Sequence, residues 1–185
     1  RLSLEELKKR GVQLGADIPF CLMRGTALSE GIGEILTPLP ALPACSIVLA
    51  KPAISVSTKA VYENLHENTL PAEAHPDVDQ VIEALKARDV RAVAGRMGNI
   101  LETVTSRQHP EIDAIKERMM ALGALNAMMS GSGPTVFGLF DDPEKAQACY
   151  QALLSAKESG LAKQVYLTEP WRQPSRTSPS RPARL

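Results

Sequence analysis

The order of short apolar runs and amphipathic stretches predicts an α+β fold, an antiparallel sheet with helices on one face. Three observations carry that expectation. Between residues 46 and 169 the chain reads strand, several helices, two strands, helix, strand. The runs at 46–50, 124–129 and 135–140 are predominantly apolar and too short to be helices. Pro38, Pro40 and Pro43 follow one another closely and mark a connection, so residues 1–45 are set apart from 46–170.

Each element has its own signal. Residues 4–14 read as a helix, with Leu4, Leu7 and Leu14 on one side and Lys8, Lys9 and Arg10 exposed, interrupted at Gly11. Pro19 disfavours helical backbone at Ile18, which predicts a turn over 15–20. From Cys21 to Leu39 the pattern is strand-like and is broken by a turn at Glu30-Gly31-Ile32-Gly33. Residues 46–50 form a strand stopped by Lys51-Pro52, and Ser57 or Thr58 caps a helix reaching Leu65. Helical stretches follow at about 77–87 and 89–104. His109-Pro110 opens another helix, with Ile112, Ile115, Met119 and Leu122 at helical spacing. Two strands then flank Ser130-Gly131-Ser132-Gly133-Pro134, a helix runs from Pro143 to about Lys157, and 163–168 is the last strand. The Ser, Pro and Arg of 171–185 bury too little apolar surface to order a tail.

Composition narrows the function. The 185 residues are 44% hydrophobic, enough for a core. Charges cancel, 21 Lys and Arg against 21 Asp and Glu, which removes the electrostatic footprint of a general nucleic-acid binder. No apolar run approaches the ~18 residues that span a bilayer. The chain opens at Arg1 on Ser3-Leu4-Glu5-Glu6, a capping box and not a signal peptide, and this start is expected of a piece of something longer. Cys21, Cys45 and Cys149 lack metal-ligand spacing and read as reduced thiols of a cytoplasmic protein.

Three places offer chemistry. In Gly131-Ser132-Gly133 the glycines allow positive φ and close backbone approach, so successive amides can converge on an anion; a tight strand-to-strand turn is the plainer reading. No Gly-Lys-Ser/Thr follows, so this is not a P-loop. Asp17, on the turn before an apolar segment, either satisfies nearby amides or serves a substrate hydroxyl as base or charge stabiliser. Tyr62 either fills core or surface or, if it faces a cleft, presents a ring on which a base can stack. His66, His75 and His109 belong to no metal or catalytic cluster, and no metal site is expected.

Taken together, Gly15-Ala16-Asp17-Ile18-Pro19-Phe20, Gly31-Ile32-Gly33-Glu34, Ser57-Thr58 through Tyr62, Asn99 through Glu102, and Met129-Ser130-Gly131-Ser132-Gly133-Pro134-Thr135 resemble the GHMP kinase superfamily, in its order, over residues 3–168. The resemblance implies a ferredoxin-like C-terminal domain at 46–170, a remnant of the N-terminal kinase domain at 1–45, and a cleft between the two. It implies ATP-dependent phosphorylation of the 2-hydroxyl of a cytidine-diphosphate-linked methylerythritol, in non-mevalonate isoprenoid synthesis. Asp17 falls on the family's catalytic aspartate; Gly131, Ser132 and Gly133 fall on a loop closing against the ATP phosphates. Tyr62 falls where an aromatic ring stacks on cytosine, with Thr58 near the same pocket. The partners so implied are ATP, Mg2+ and a small-molecule substrate, with no nucleic acid or membrane.

One departure bears on activity. The family's phosphate loop, with a Gly-Leu-Gly-Gly-Gly-Ser-Ser core, and an early lysine paired with the aspartate do not occur in the 185 residues; both are expected before Arg1. Positioning and charge neutralisation dominate phosphoryl transfer, so the chain alone is expected to be inactive. A non-catalytic ferredoxin-like ligand-binding module and a nonfunctional gene fragment are the alternatives. Segment 1–45 is expected to leave an apolar face open to self-association.

Overall fold

The structure, a computed structural model, describes residues 2–66, 70, 75–156 and 160–172. The chain divides into two compact units, Arg1–Ala41 with Trp171–Leu185, and Leu42–Pro170. Of the tail expected to be disordered, residues 173–185 lie outside the described residues.

The first unit contains α1 (Leu4–Gly11), α2 (Ile18–Met23), β1 (Thr26–Glu30) and β2 (Ile35–Leu39). Ser3 and Glu6 form the expected capping box at the start of α1. That helix ends at Gly11, the interruption expected from the sequence, and α2 approaches so closely there that a Cβ at Gly11 would stand 2.6 Å from Ile18 Cγ2. The expected turn over 15–20 and the strand-like start at Cys21 are both overturned by α2. Pro19 sits in the first helical turn, where its missing N–H leaves no acceptor without its bond, so it opens the helix. Arg24 (φ 61°) and Gly25 (φ 87°) end it. β1 and β2 form an antiparallel hairpin pairing Thr26 with Leu39 and Glu30 with Ile35, around the predicted turn.

The second unit contains β3 (Ser46–Lys51), α3 (Thr58–Glu63), α4 (Val78–Lys86), α5 (Val90–Arg96), α6 (Glu102–Gln108), α7 (Glu111–Ala121), β4 (Asn126–Met129), β5 (Val136–Phe140), α8 (Pro143–Ser155) and β6 (Gln164–Thr168). The sheet order is β4-β5-β3-β6, every pairing antiparallel. With helices between β3 and β4 and between β5 and β6, this is the ferredoxin-like arrangement. Strand alternation sorts the side chains. Val48, Ala50, Ala127, Met129, Val136, Phe140 and Val165 share a face and are buried, together with Ile112, Ile115 and Met119 of α7 and Cys149 and Leu153 of α8. On the opposite face Ile47, Leu49, Met128 and Phe137 are half-buried and Tyr166 is exposed; Leu139 is the buried exception.

The single helix expected over 89–104 is two helices. Asp89 caps α5, the backbone leaves helical geometry at Met97 (ψ 139°), and the chain re-enters a helix at Glu102. The break frees the Asn99 side chain for bonds described below. Helix α8 ends at Ser155; the expected end at Lys157 lies outside the described residues. Among the described residues no helix is long and apolar enough to cross a membrane.

Candidate functional site

The loop between β4 and β5 is the most heavily braced turn of the second unit. Its own backbone closes it: Ser130 N–H donates to Thr135 O (2.8 Å) and Gly133 N–H to Ser130 O (3.0 Å). Gly133 (φ 86°) is required twice over, for its backbone angle and because a Cβ there would lie 2.5 Å from Met129 Sδ. Gly131 (φ 57°) faces open space, with no atom within 4 Å of a Cβ position. Among the described residues, neither Gly131 N–H nor Ser132 N–H donates to a protein acceptor. Consecutive amides left in that state form a concavity suited to an anion.

Side chains from three directions fix this loop. The Asn99 amide nitrogen donates to Met129 O (2.9 Å) and to Gly131 O (2.8 Å), while its oxygen accepts Leu101 N–H (3.0 Å). Glu102, on the first turn of α6, accepts Met129 N–H (2.5 Å) and is itself paired with Lys116 of α7. Thr105, fully buried one turn later, donates to Ser132 O (3.3 Å). Opposite these, Thr58 Oγ1 lies 2.8 Å from Ser132 Oγ, one hydroxyl donating to the other. Ser57 caps α3 and so sets Thr58 at the first position of the helix.

The expected site residues of the second unit are therefore partly assembled. Thr58 and Ser132 are hydrogen-bonded, with Gly131 and Gly133 on either side of Ser132. Tyr62 stands one helical turn beyond Thr58 and is 60% exposed, which removes the core-filling reading of its ring and leaves the surface-filling one beside base stacking. Asp17 belongs to the other unit. It occupies the position before α2, is exposed, and makes no side-chain capping bond, so the amide-satisfying reading of its carboxylate does not hold.

Asn99, Glu102 and Thr105 were matched or passed over in sequence without a role. Gly98-Asn99 inside a helical pattern was the available signal, since that pair interrupts helices and frees a side-chain amide. On the far side of Asn99 and Glu102 lies a cleft of about 640 Å³, whose wall includes Asp113, Lys116 and Met120. Among the described residues no group of three or more His, Cys, Asp or Glu side chains is placed to hold a metal ion. Burial pushes the Cys149 thiol up to about 11, so it stays protonated near neutrality and is no nucleophile.

Comparison with known proteins places this geometry. Residues 81–159 match the family described as GHMP kinases C terminal. A 4-diphosphocytidyl-2-C-methyl-D-erythritol kinase of Lachnospira eligens is 58% identical over 166 residues, covering 90% of this chain and 56% of that protein. Another of that name, from Lachnoclostridium phytofermentans, is 52% identical over 168 residues, covering 90% and 55%. The chain thus spans about half the length of these relatives. A crystal structure of 4-(cytidine 5'-diphospho)-2C-methyl-D-erythritol kinase superposes with a TM-score of 0.69 at 31% identity, over 88% of this chain and 56% of that one. A homoserine kinase from Cytophaga hutchinsonii shares the fold, with a TM-score of 0.74 at 22% identity over 91% and 58%. By its matched residues, its identity to part of these kinases and its sheet topology, the chain carries a C-terminal domain of the GHMP kinase superfamily.

Proposed function

We propose that this chain serves ATP-dependent phosphorylation of the 2-hydroxyl of 4-diphosphocytidyl-2-C-methyl-D-erythritol, a step of isoprenoid synthesis by the non-mevalonate route in the cytoplasm. The observation that carries the reading is the loop at 131–133, whose two acceptor-free amides adjoin Thr58 and, one turn on, the exposed ring of Tyr62. The amides of Gly131 and Ser132 receive phosphate oxygens of ATP, which supplies the phosphoryl group. Tyr62 stacks on the cytosine, a contact worth about 1–3 kcal/mol by analogy with bases on aromatic platforms, and Thr58 contributes a hydroxyl to the same pocket. Asp17, with its unencumbered carboxylate, takes the proton of the attacking hydroxyl, a role worth about 10²–10⁴-fold. Mg2+ is implied by the family resemblance, with its ligands mostly outside this chain.

Turnover by the 185 residues alone is not expected, because they contain no glycine-rich run of the Gly-Leu-Gly-Gly-Gly-Ser-Ser kind to place the γ-phosphate. The decisive experiment is therefore binding. Calorimetry with cytidine diphosphate should give a saturable isotherm that Tyr62→Ala weakens about tenfold. An unaltered affinity in that variant overturns the assignment of the ring.

A further inference from the structure

We infer that Asn99 is a positioning residue for the phosphate-facing loop, acting through the backbone and not by touching the ligand. The inference rests on the proposed phosphate role of Gly131 and Ser132. Asn99 lies in the break between α5 and α6, 32 residues before Gly131, yet its amide nitrogen spends both hydrogens on this one turn. One goes to the last carbonyl of β4, at Met129, and the other to the carbonyl of Gly131. Each of these carbonyls belongs to a peptide unit whose nitrogen is that of the next residue, so holding Gly131 O fixes the plane that carries Ser132 N–H. The bond to Gly131 O therefore sets the direction of Ser132 N–H, while Gly131 N–H lies in the peptide unit whose carbonyl, Ser130 O, accepts from Gly133 N–H.

The orientation of the Asn99 amide is settled by its surroundings. Its oxygen faces the Leu101 N–H and its nitrogen faces two carbonyls; the flipped amide would set oxygen against oxygen on one side and N–H against N–H on the other. The neighbouring bonds leave the loop little freedom to compensate. Glu102 holds Met129 N–H, Thr105 holds Ser132 O, and Thr58 holds the Ser132 hydroxyl. Of these, Asn99 alone bonds both ends of the segment that enters the turn. Substitution by an isosteric carboxylate is thus a sharp perturbation. It preserves shape and the acceptor for Leu101, and replaces both donated bonds by repulsion against two carbonyls.

The test is a titration of the isotopically labelled full chain with ATP, and separately with inorganic tripolyphosphate, following amide signals. In the unaltered chain the Gly131 and Ser132 N–H signals should shift and saturate. The side-chain amide signals of Asn99 should move with them at the same midpoint, since loop and side chain adjust together. In Asn99→Asp the affinity should fall about tenfold or more, with signals of β6 and α8 unchanged. Cytidine monophosphate binding, read at Tyr62, should stay as before. Failure of Gly131 and Ser132 to respond in the unaltered chain overturns the phosphate role of the loop, and the present inference with it. A response there, with equal affinity in Asn99→Asp, overturns the positioning role alone. Should Asn99→Asp fail to fold, the unaltered chain decides: Asn99 signals that stay still while the loop amides shift refute the role, and a common midpoint supports it.

Discussion

In Leu42–Pro170 the central strands bury Val48, Ala50, Val136 and Phe140 completely, and helices α7 and α8 close over them with Ile112, Ile115, Met119 and Leu153. In the other unit the hairpin β1–β2 has no buried residue, and among the described residues only Gly11 and Pro19 are buried. Its larger apolar side chains stand open: Leu14 is 86% exposed, Ile32 73% and Ile35 54%. Both units are built from apolar-rich segments, so composition does not separate them. The difference is that a four-stranded sheet with two covering helices can wrap a core. A two-stranded hairpin with two short helices is marginal by itself. The loop at 131–133 sits in the unit with its own core, while Asp17 sits in the unit without one.

The broadest way to break this comparison is to separate the pieces. Residues 42–170 expressed alone should unfold cooperatively in urea, and residues 1–41 alone should show no cooperative transition and should bind a hydrophobic dye. A folded monomer of 1–41 would end the argument. Core truncation comes next: Phe140→Ala should cost about 3–5 kcal/mol, while Leu14→Ala should stay within about 0.5 kcal/mol, both from urea midpoints.

Thiol chemistry sharpens the contrast further. Cys21 is exposed and should react promptly with an alkylating reagent; buried Cys149, its thiol held near 11, should be labelled only on unfolding. The sign for stability follows from the same shift. Between the ordinary value of 9.0 and about 11 the unfolded chain has lost the Cys149 proton and the folded chain has kept it, so stability falls as pH rises through that window. Stability that stayed flat from pH 9 to 11 would contradict the burial of this side chain.

Smaller effects distinguish positions within the loop. Gly133→Ala should cost about 1–3 kcal/mol, from backbone angle and collision with Met129 together. Gly131→Ala meets only the backbone cost and should be milder, about 1 kcal/mol. The smallest is a cap: Ser57→Ala should lower stability by about 1 kcal/mol, and Ser3→Ala, in the coreless unit, should leave the main transition in place.

The strands around 46–50 and 135–140 were legible because short, predominantly apolar runs bounded by Pro or Asp leave few other solutions. Helix α2 was not, because Pro19 was read as a breaker when its place in a first turn makes it an opener. The break at 97–101 was missed because apolar spacing continues through it, and the Gly98-Asn99 pair that marks it lies inside that pattern. The glycines of the loop could be read as an anion cradle or as a turn, and no local pattern chooses between them. Choosing requires the acceptor-free amides, a property of three-dimensional hydrogen bonding.

The bonds that Asn99 and Glu102 make to Met129 have a second result. Strand β4 is the outermost of its sheet, and a bare outer strand offers its backbone as a template on which a second molecule can add a strand. Asn99 covers the Met129 carbonyl, Glu102 covers the Met129 N–H, and Asn126 Oδ1 covers the N–H of Ala127, so that rim is largely sealed against strand addition. The side chains that bond the loop thus also cover backbone groups at the sheet's border.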